Sequence, residues 1–134
     1  MSNIKQVLVI RKDLKMRRGK ECSQTSHASM AFLTRKLQPV EFGAILDGVI
    51  HQLPLTLVQM DWLSSYHTKV CLQVDSEAEL MEIHDRACEA SLEVNLITDA
   101  GLTEFKGIPT MTCLAIGPDL AEKIDPITKH LRLY

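Results

Sequence analysis

Aromatic residues are scarce: one Trp, two Tyr and three Phe in 134 residues. A sheet that reads single-stranded nucleic acid by stacking bases on aromatic side chains is therefore not expected. Long apolar runs are missing too. The longest candidate, Val49 to Leu63, is interrupted by His51, Gln52, Gln59 and Asp61, so it does not meet the roughly 18 apolar residues of a membrane span. The first residues hold only a short apolar run after Lys5 before charge resumes, unlike a secretory signal. A cytoplasmic protein with no membrane contact is expected. The four cysteines, Cys22, Cys71, Cys88 and Cys113, form no Cys-x-x-Cys pair, which argues against a zinc site or a thioredoxin-like motif. We read them as small buried thiols and expect neither a metal nor another cofactor. No Gly-x-Ser-x-Gly turn is present, so a serine nucleophile elbow is excluded.

What is present is an ordinary globular composition, 46% hydrophobic and 24% charged. That excludes intrinsic disorder. The length points to one domain over residues 1–134, large enough to bury about two thirds of its unfolded surface.

The net charge of −2 conceals a division. Residues 1–40 sum to +7, residues 41–104 to −10 and residues 105–134 to +1. Most of the early bases, Arg11, Lys12, Lys15, Arg17, Arg18 and Lys20, fall within ten residues. A core cannot bury such a run, and a phosphate backbone would favour it. A solvated loop face is the plainer alternative.

Periodicity predicts alternating strands and helices. Val7–Ile10 has the continuous apolar pattern of a strand buried on both faces. A helix is expected over about Glu21–Leu37, and an irregular or short-helix insertion over 38–54, where Pro39, Gly43, Gly48 and Pro54 break any period. Thr56–Leu63 reads as a short helix presenting Trp62. Val70–Val74, Val94–Ile97 and Thr112–Pro118 read as strands, the last stopped by Gly117-Pro118, with helices over about Glu77–Ser91 and Asp119–Ile124. These βαβ units predict an α/β fold: a three-layer α/β/α sandwich around a mixed, mostly parallel four-stranded sheet.

Ligands of open α/β sheets gather outside the carboxyl ends of the strands. Two loops qualify, Arg11–Lys20 and Thr98–Thr103. If the first and third strands share a direction, Lys20 and Asp99 meet at one rim, as a cation and a carboxylate able to hold an anion and activate water. Lys20, Gln24 and His27 fall at i, i+4 and i+7 and share a helix face.

These residues carry a resemblance. Lys5–Lys20 is similar to the opening strand and Asp-Leu-x-Met-x-x-Gly-Lys loop of the archaeal and eukaryotic type of peptidyl-tRNA hydrolases, and Gln24-x-x-His27-Ala28 continues it. Val74-Asp75-Ser76-Glu77, then Asp99-Ala100-Gly101-x-Thr103 through Thr110-x-Thr112-x-Leu114-Ala115-Ile116-Gly117-Pro118, form a second block in the same order. Roughly two thirds of the chain is covered. Residues 38–68 diverge from the family's middle segment, Ile108-Pro109-Thr110 stands where Pro-Gly-Thr is usual, and Ser23 replaces a small Ala.

The resemblance implies hydrolysis of the ester joining a peptide, or an N-blocked amino acid, to the 3′ end of tRNA, a role in translation and ribosome rescue. Lys20, Asp99, His27 and Thr103 are the expected catalytic residues, with either Asp99 or His27 activating water and Lys20 stabilising the oxyanion. Gln24, Ser26 and Thr110 are expected at the substrate, and Arg11, Lys12, Lys15, Arg17 and Arg18 on tRNA phosphates. Pairing with a second copy is left open. The alternatives are a non-catalytic tRNA- or RNA-binding relative and a hydrolase of a small phosphorylated ester.

Overall fold

The computed structural model describes residues 3–40 and 50–134. Eleven elements follow in chain order among these residues: β1 (Ile4–Arg11), α1 (Arg18–Thr34), β2 (Gln38–Val40), β3 (Ile50–Gln52), α2 (Leu57–Leu63), β4 (Lys69–Val74), α3 (Glu77–Glu89), β5 (Val94–Asp99), β6 (Thr110–Leu120), α4 (Ala121–Thr128) and β7 (Arg132–Leu133).

The main sheet has the order β5-β6-β1-β4-β7. It has five strands, where the sequence predicts four. Only β1 and β4 pair in parallel; β1 with β6, β5 with β6, and β4 with β7 are antiparallel. The expected mostly parallel sheet is therefore corrected. Residues 100–109 join β5 to β6 without a helix, and so direct a connection returns the chain antiparallel, whereas a parallel neighbour needs a crossover. The parallel β1–β4 pair has its crossover in the segment carrying α1 and α2. Since β6 runs against both β1 and β5, those two strands share a direction, and their carboxyl ends lie on one rim.

β1 is buried through its last six residues, as its apolar run predicts. Val7 and Val9 pack with Leu80, Ile83 and Ala87 of α3 and Ile124 and Ile127 of α4. Leu8 and Ile10 pack instead with Ala28 and Ala31 of α1, Ile97 and Cys113. Alternation along an extended chain sends these two pairs to opposite faces.

Several boundaries differ from the sequence reading. α1 starts and stops three residues early, because Arg17 is already extended at its N-cap; Gly19 and Lys20 thus lie inside its first turn. α3 ends at Glu89, where Ser91 takes a positive φ of 58°. There Leu92 N–H reaches the Ala87 carbonyl and Ser91 N–H the Cys88 carbonyl, a left-handed cap that satisfies the last carbonyls. β6 continues through Gly117-Pro118 to Leu120, because the β1–β6 register shifts between Lys5 and Val7 and no ladder donor is required of Pro118 there. α4 correspondingly begins at Ala121.

Of the expected irregular insertion over 38–54, residues 38–40 and 50–52 instead form the paired strands β2 and β3, 53–54 are irregular as expected, and 41–49 lie outside the described residues. α2 forms as predicted. Its Thr56–Gln59 capping box closes the N-terminus, and buried Trp62 meets Phe32 edge-on at 5.8 Å. The buried-cysteine expectation holds for Cys113 alone; Cys22, Cys71 and Cys88 are exposed. On β4 only Leu72 and Val74 are buried, so the apolar run around Cys71 marks one covered face, not two. No helix among the described residues is long and apolar enough to cross a membrane.

Candidate active site

α1 begins where β1 has delivered the chain to the rim, and β5 ends on the same rim at Asp99. Lys20, in the first turn of α1, points its ammonium at the Asp99 carboxylate, with Nζ 2.8 Å from Oδ1. A second N–H of Lys20 donates to Thr103 Oγ1 at 2.9 Å. Beneath it lies Phe105, whose ring centroid is 5.8 Å from Nζ, close enough for a cation–π attraction. Both side chains of the pair are largely buried, 14% exposed for Lys20 and 13% for Asp99.

Asp99 is held from two further directions. Gln24 Nε2 donates to Oδ1 at 3.2 Å, and Gly101 N–H donates to Oδ2 at 2.8 Å. Gln24 is fixed in turn by Thr112, whose hydroxyl donates to Gln24 Oε1 at 2.6 Å. Thr112 reaches α1 because the β5–β6 register skips it: Ile97 faces Cys113 and Thr98 faces Met111. Such bulges re-aim side chains, and they recur beside active sites.

The Lys20 ammonium is the main reason that the Asp99 carboxyl sits below its ordinary range, with Gly101 and Gln24 adding to it and burial opposing. Asp99 is therefore an anion throughout the neutral range. Of the carboxylate's roughly four acceptor positions, Oδ1 uses two and Oδ2 uses one, which leaves a position on Oδ2 for a water. An ammonium has three N–H groups, and two of those on Lys20 have partners among the described residues. One donor and one acceptor thus remain within a few ångströms of each other, the pair an ester hydrolysis needs. Gly101 is required for this geometry: it holds φ +80°, and a Cβ there would lie 2.3 Å from the Ile108 carbonyl oxygen.

A family model described as peptidyl-tRNA hydrolase PTH2 matches residues 4–134. The chain belongs to the PTH2 family. A peptidyl-tRNA hydrolase of Methanopyrus kandleri is 41% identical to it over 130 residues, covering 96% of this chain and 97% of that one. One from Methanocaldococcus jannaschii is 38% identical, covering 97% and 99%. A probable peptidyl-tRNA hydrolase 2 of Drosophila melanogaster is 37% identical over 98% of this chain and 62% of its own. Among solved structures, a protein of unknown function from Agrobacterium tumefaciens shares the fold with a TM-score of 0.57 at 16% identity, over 100% of this chain and 99% of that one.

In this PTH2 chain, Lys20, Asp99, Gln24 and Thr103 come together as one hydrogen-bonded cluster. His27 does not join it: the imidazole is exposed and, among the described residues, its one polar partner is the Ser23 hydroxyl at 3.5 Å. Ser26 is exposed and donates to the Cys22 carbonyl. Thr110 sits opposite Asp99 in the β5–β6 ladder and donates to the Ile108 carbonyl. Lys12, Lys15, Arg17 and Arg18 are exposed along the rim, with Arg17 3.7 Å from Glu104.

Arg11 is different. It is buried, with Nε and Nη2 on Asp13 and Nη1 on the Met111 carbonyl, so its guanidinium anchors the rim instead of facing outward. Sequence reasoning gave no role to Thr112 or Phe105. A threonine inside an apolar strand was the signal for the first. Tyr134 was missed as well: its hydroxyl donates to Glu21 in the first turn of α1, and burial together with that carboxylate pushes the phenol up to about 12. Burial likewise raises the Cys113 thiol to about 11, which makes it a poor nucleophile.

Proposed function

We propose that the chain hydrolyses the ester between a peptide, or an N-blocked amino acid, and the 3′-terminal ribose of tRNA. The observation that carries this is the Lys20–Asp99 pair, closed by Thr103 and Gln24, in a chain whose relatives are named peptidyl-tRNA hydrolases.

The proposed reaction uses water. Asp99 Oδ2 holds and orients the water and receives its proton as the hydroxyl attacks the ester carbonyl; the tetrahedral intermediate then collapses, the bond from the acyl carbon to the ribose 3′ oxygen breaks, and the proton passes from Asp99 to that oxygen, releasing the carboxylic acid and free tRNA. The remaining N–H of Lys20 meets the developing oxyanion, and Thr103 keeps the ammonium aimed. A depressed carboxyl is a weak base, so orienting the water within a preformed donor–acceptor pair is the larger part of its role. Gln24 positions Asp99. His27, Ser26 and Thr110 are assigned to the substrate's side of the rim. Lys12, Lys15, Arg17 and Arg18, together with the free N–H groups of the first turn of α1, hold phosphates; Arg11 is left out of that set because it is buried with three of its five N–H groups bonded to Asp13 and the Met111 carbonyl.

The same reading places the protein in the cytoplasm, treats residues 1–134 as one domain and takes the two helix-bearing faces as a three-layer α/β/α sandwich. The test is release of N-acetylated amino acid from charged tRNA by the purified protein without added metal or cofactor. Hydrolysis of the tRNA ester, with free ester analogues left nearly untouched, supports the reading; tRNA binding without turnover supports a regulatory relative instead.

A further inference from the structure

The loop from Gly101 to Pro109, which brings Thr103 to Lys20 and the Gly101 N–H to Asp99, carries three large apolar side chains and treats them unequally. Phe105 is turned inward, packing against the cluster of Leu8, Ile10, Met16 and Ala28 and lying under the Lys20 ammonium. Leu102 and Ile108 are turned outward, 87% and 63% exposed. The exposure is built into the loop. Gly107 N–H bonds the Gly101 carbonyl at 2.8 Å and Ile108 N–H bonds the Phe105 carbonyl at 2.9 Å. Gly101, whose own N–H bonds Asp99, fits against the Ile108 backbone with no room for a side chain. A tightly bonded loop thus carries two aliphatic side chains in water, Leu102 next in the chain to Thr103 and Ile108 on a backbone that packs against Gly101.

We propose that Leu102 and Ile108 form the platform that receives the side chain of the esterified amino acid, and that they make the enzyme prefer bulky apolar acyl groups to glycine. This rests on the hydrolase reading above. An ester held at Lys20 and Asp99 has two arms. Its ribose-phosphate arm belongs with the exposed cations Lys12, Lys15, Arg17 and Arg18, which precede Lys20 in the chain. The acyl arm leaves over the loop that supplies Thr103. A terminal adenine is a poorer occupant, because bases stack on aromatic or guanidinium planes, and the aromatic ring of this loop faces inward. Aliphatic side chains covering one another lose water-exposed apolar surface, the contact that both groups lack in the free protein.

The experiment compares N-acetyl-leucyl-tRNA with N-acetyl-glycyl-tRNA for the wild type and for Leu102→Ala with Ile108→Ala, after thermal unfolding confirms that the variant folds. The ratio of kcat/KM for leucyl over glycyl substrate is expected to fall roughly tenfold in the variant, the scale of losing a few methylene contacts. Leu102→Met, which retains an apolar side chain of similar size, should keep most of the ratio. An unchanged ratio in the double variant, with both substrates slowed alike or neither slowed, overturns the platform and leaves the hydrolase reading intact. A wild type inactive on both tRNAs overturns the hydrolase reading itself, and the platform with it.

Discussion

Lys20 and Asp99, 79 positions apart in the chain, meet at 2.8 Å with their side chains mostly removed from water. Neither partner is free to move without stranding the other, since Asp99 also holds Gly101 and Gln24 and Lys20 also holds Thr103.

Asp99→Asn preserves size and removes the anion. We expect kcat to fall about 100-fold or more with little change in tRNA affinity. Steady-state kinetics alongside equilibrium tRNA binding check this; a variant with near wild-type kcat would make Asp99 a structural residue.

The same carboxyl predicts a pH dependence of stability. Its folded-state value lies below the unfolded value of about 3.9, so the Lys20 interaction is fully present above about pH 4 and is lost as pH falls towards the folded value. Urea unfolding of wild type and Asp99→Asn from neutral pH down to about pH 3 should show the wild-type advantage shrinking at the acid end. An advantage that grows with acid contradicts the assignment.

Phosphate contacts and the catalytic cation respond differently to salt. Each base that neutralises a phosphate contributes about 0.7–0.9 to the slope of log K against log salt concentration. Arg17→Ala with Arg18→Ala should flatten that slope and leave the chemical rate at saturation nearly intact. Arg11→Ala should instead lower stability, by leaving Asp13 and the Met111 carbonyl without their partner. If Arg11→Ala flattened the salt slope at full stability, the rim role given to it here would be wrong.

Gly101→Ala tests the loop. The φ of +80° and the 2.3 Å approach to the Ile108 carbonyl oxygen should cost about 1–3 kcal/mol and release the amide from Asp99. Thermal unfolding should show the loss, and kcat should fall with it; a variant as stable and active as wild type would mean that the loop tolerates another backbone path.

Which parts of this were legible in the sequence follows from the range of the interactions. Val7–Ile10 is legible because both faces of β1 are buried, and the Lys20–Gln24 face is legible because the two are one helical turn apart, although the sequence reading begins the helix only at Glu21 and so misses its first turn. His27 shares that spacing with Gln24, yet it lies outside the cluster, because a stripe fixes direction and not reach. Thr112 could not be read from alternation, since the register shift at Ile97 and Thr98 turns it towards Gln24. β7 is two residues long and exists through its pairing with Leu72 and Gln73, a contact no local pattern encodes. Strand–helix alternation predicts parallel pairing, but the helix-free connection at 100–109 returns the chain antiparallel.

The central claim is that Lys20 and Asp99 act as one unit on the tRNA ester. Single-turnover hydrolysis of N-acetyl-aminoacyl-tRNA at saturating enzyme, for wild type, Lys20→Ala, Asp99→Asn and the double variant, tests it most directly. Each single change should slow the chemical step by roughly 100-fold, and the double variant should be little slower than either single one, as groups that work together are strongly non-additive. Single variants that keep the wild-type rate, or a double variant slowed by the product of the two single effects, about 10⁴-fold, would contradict it.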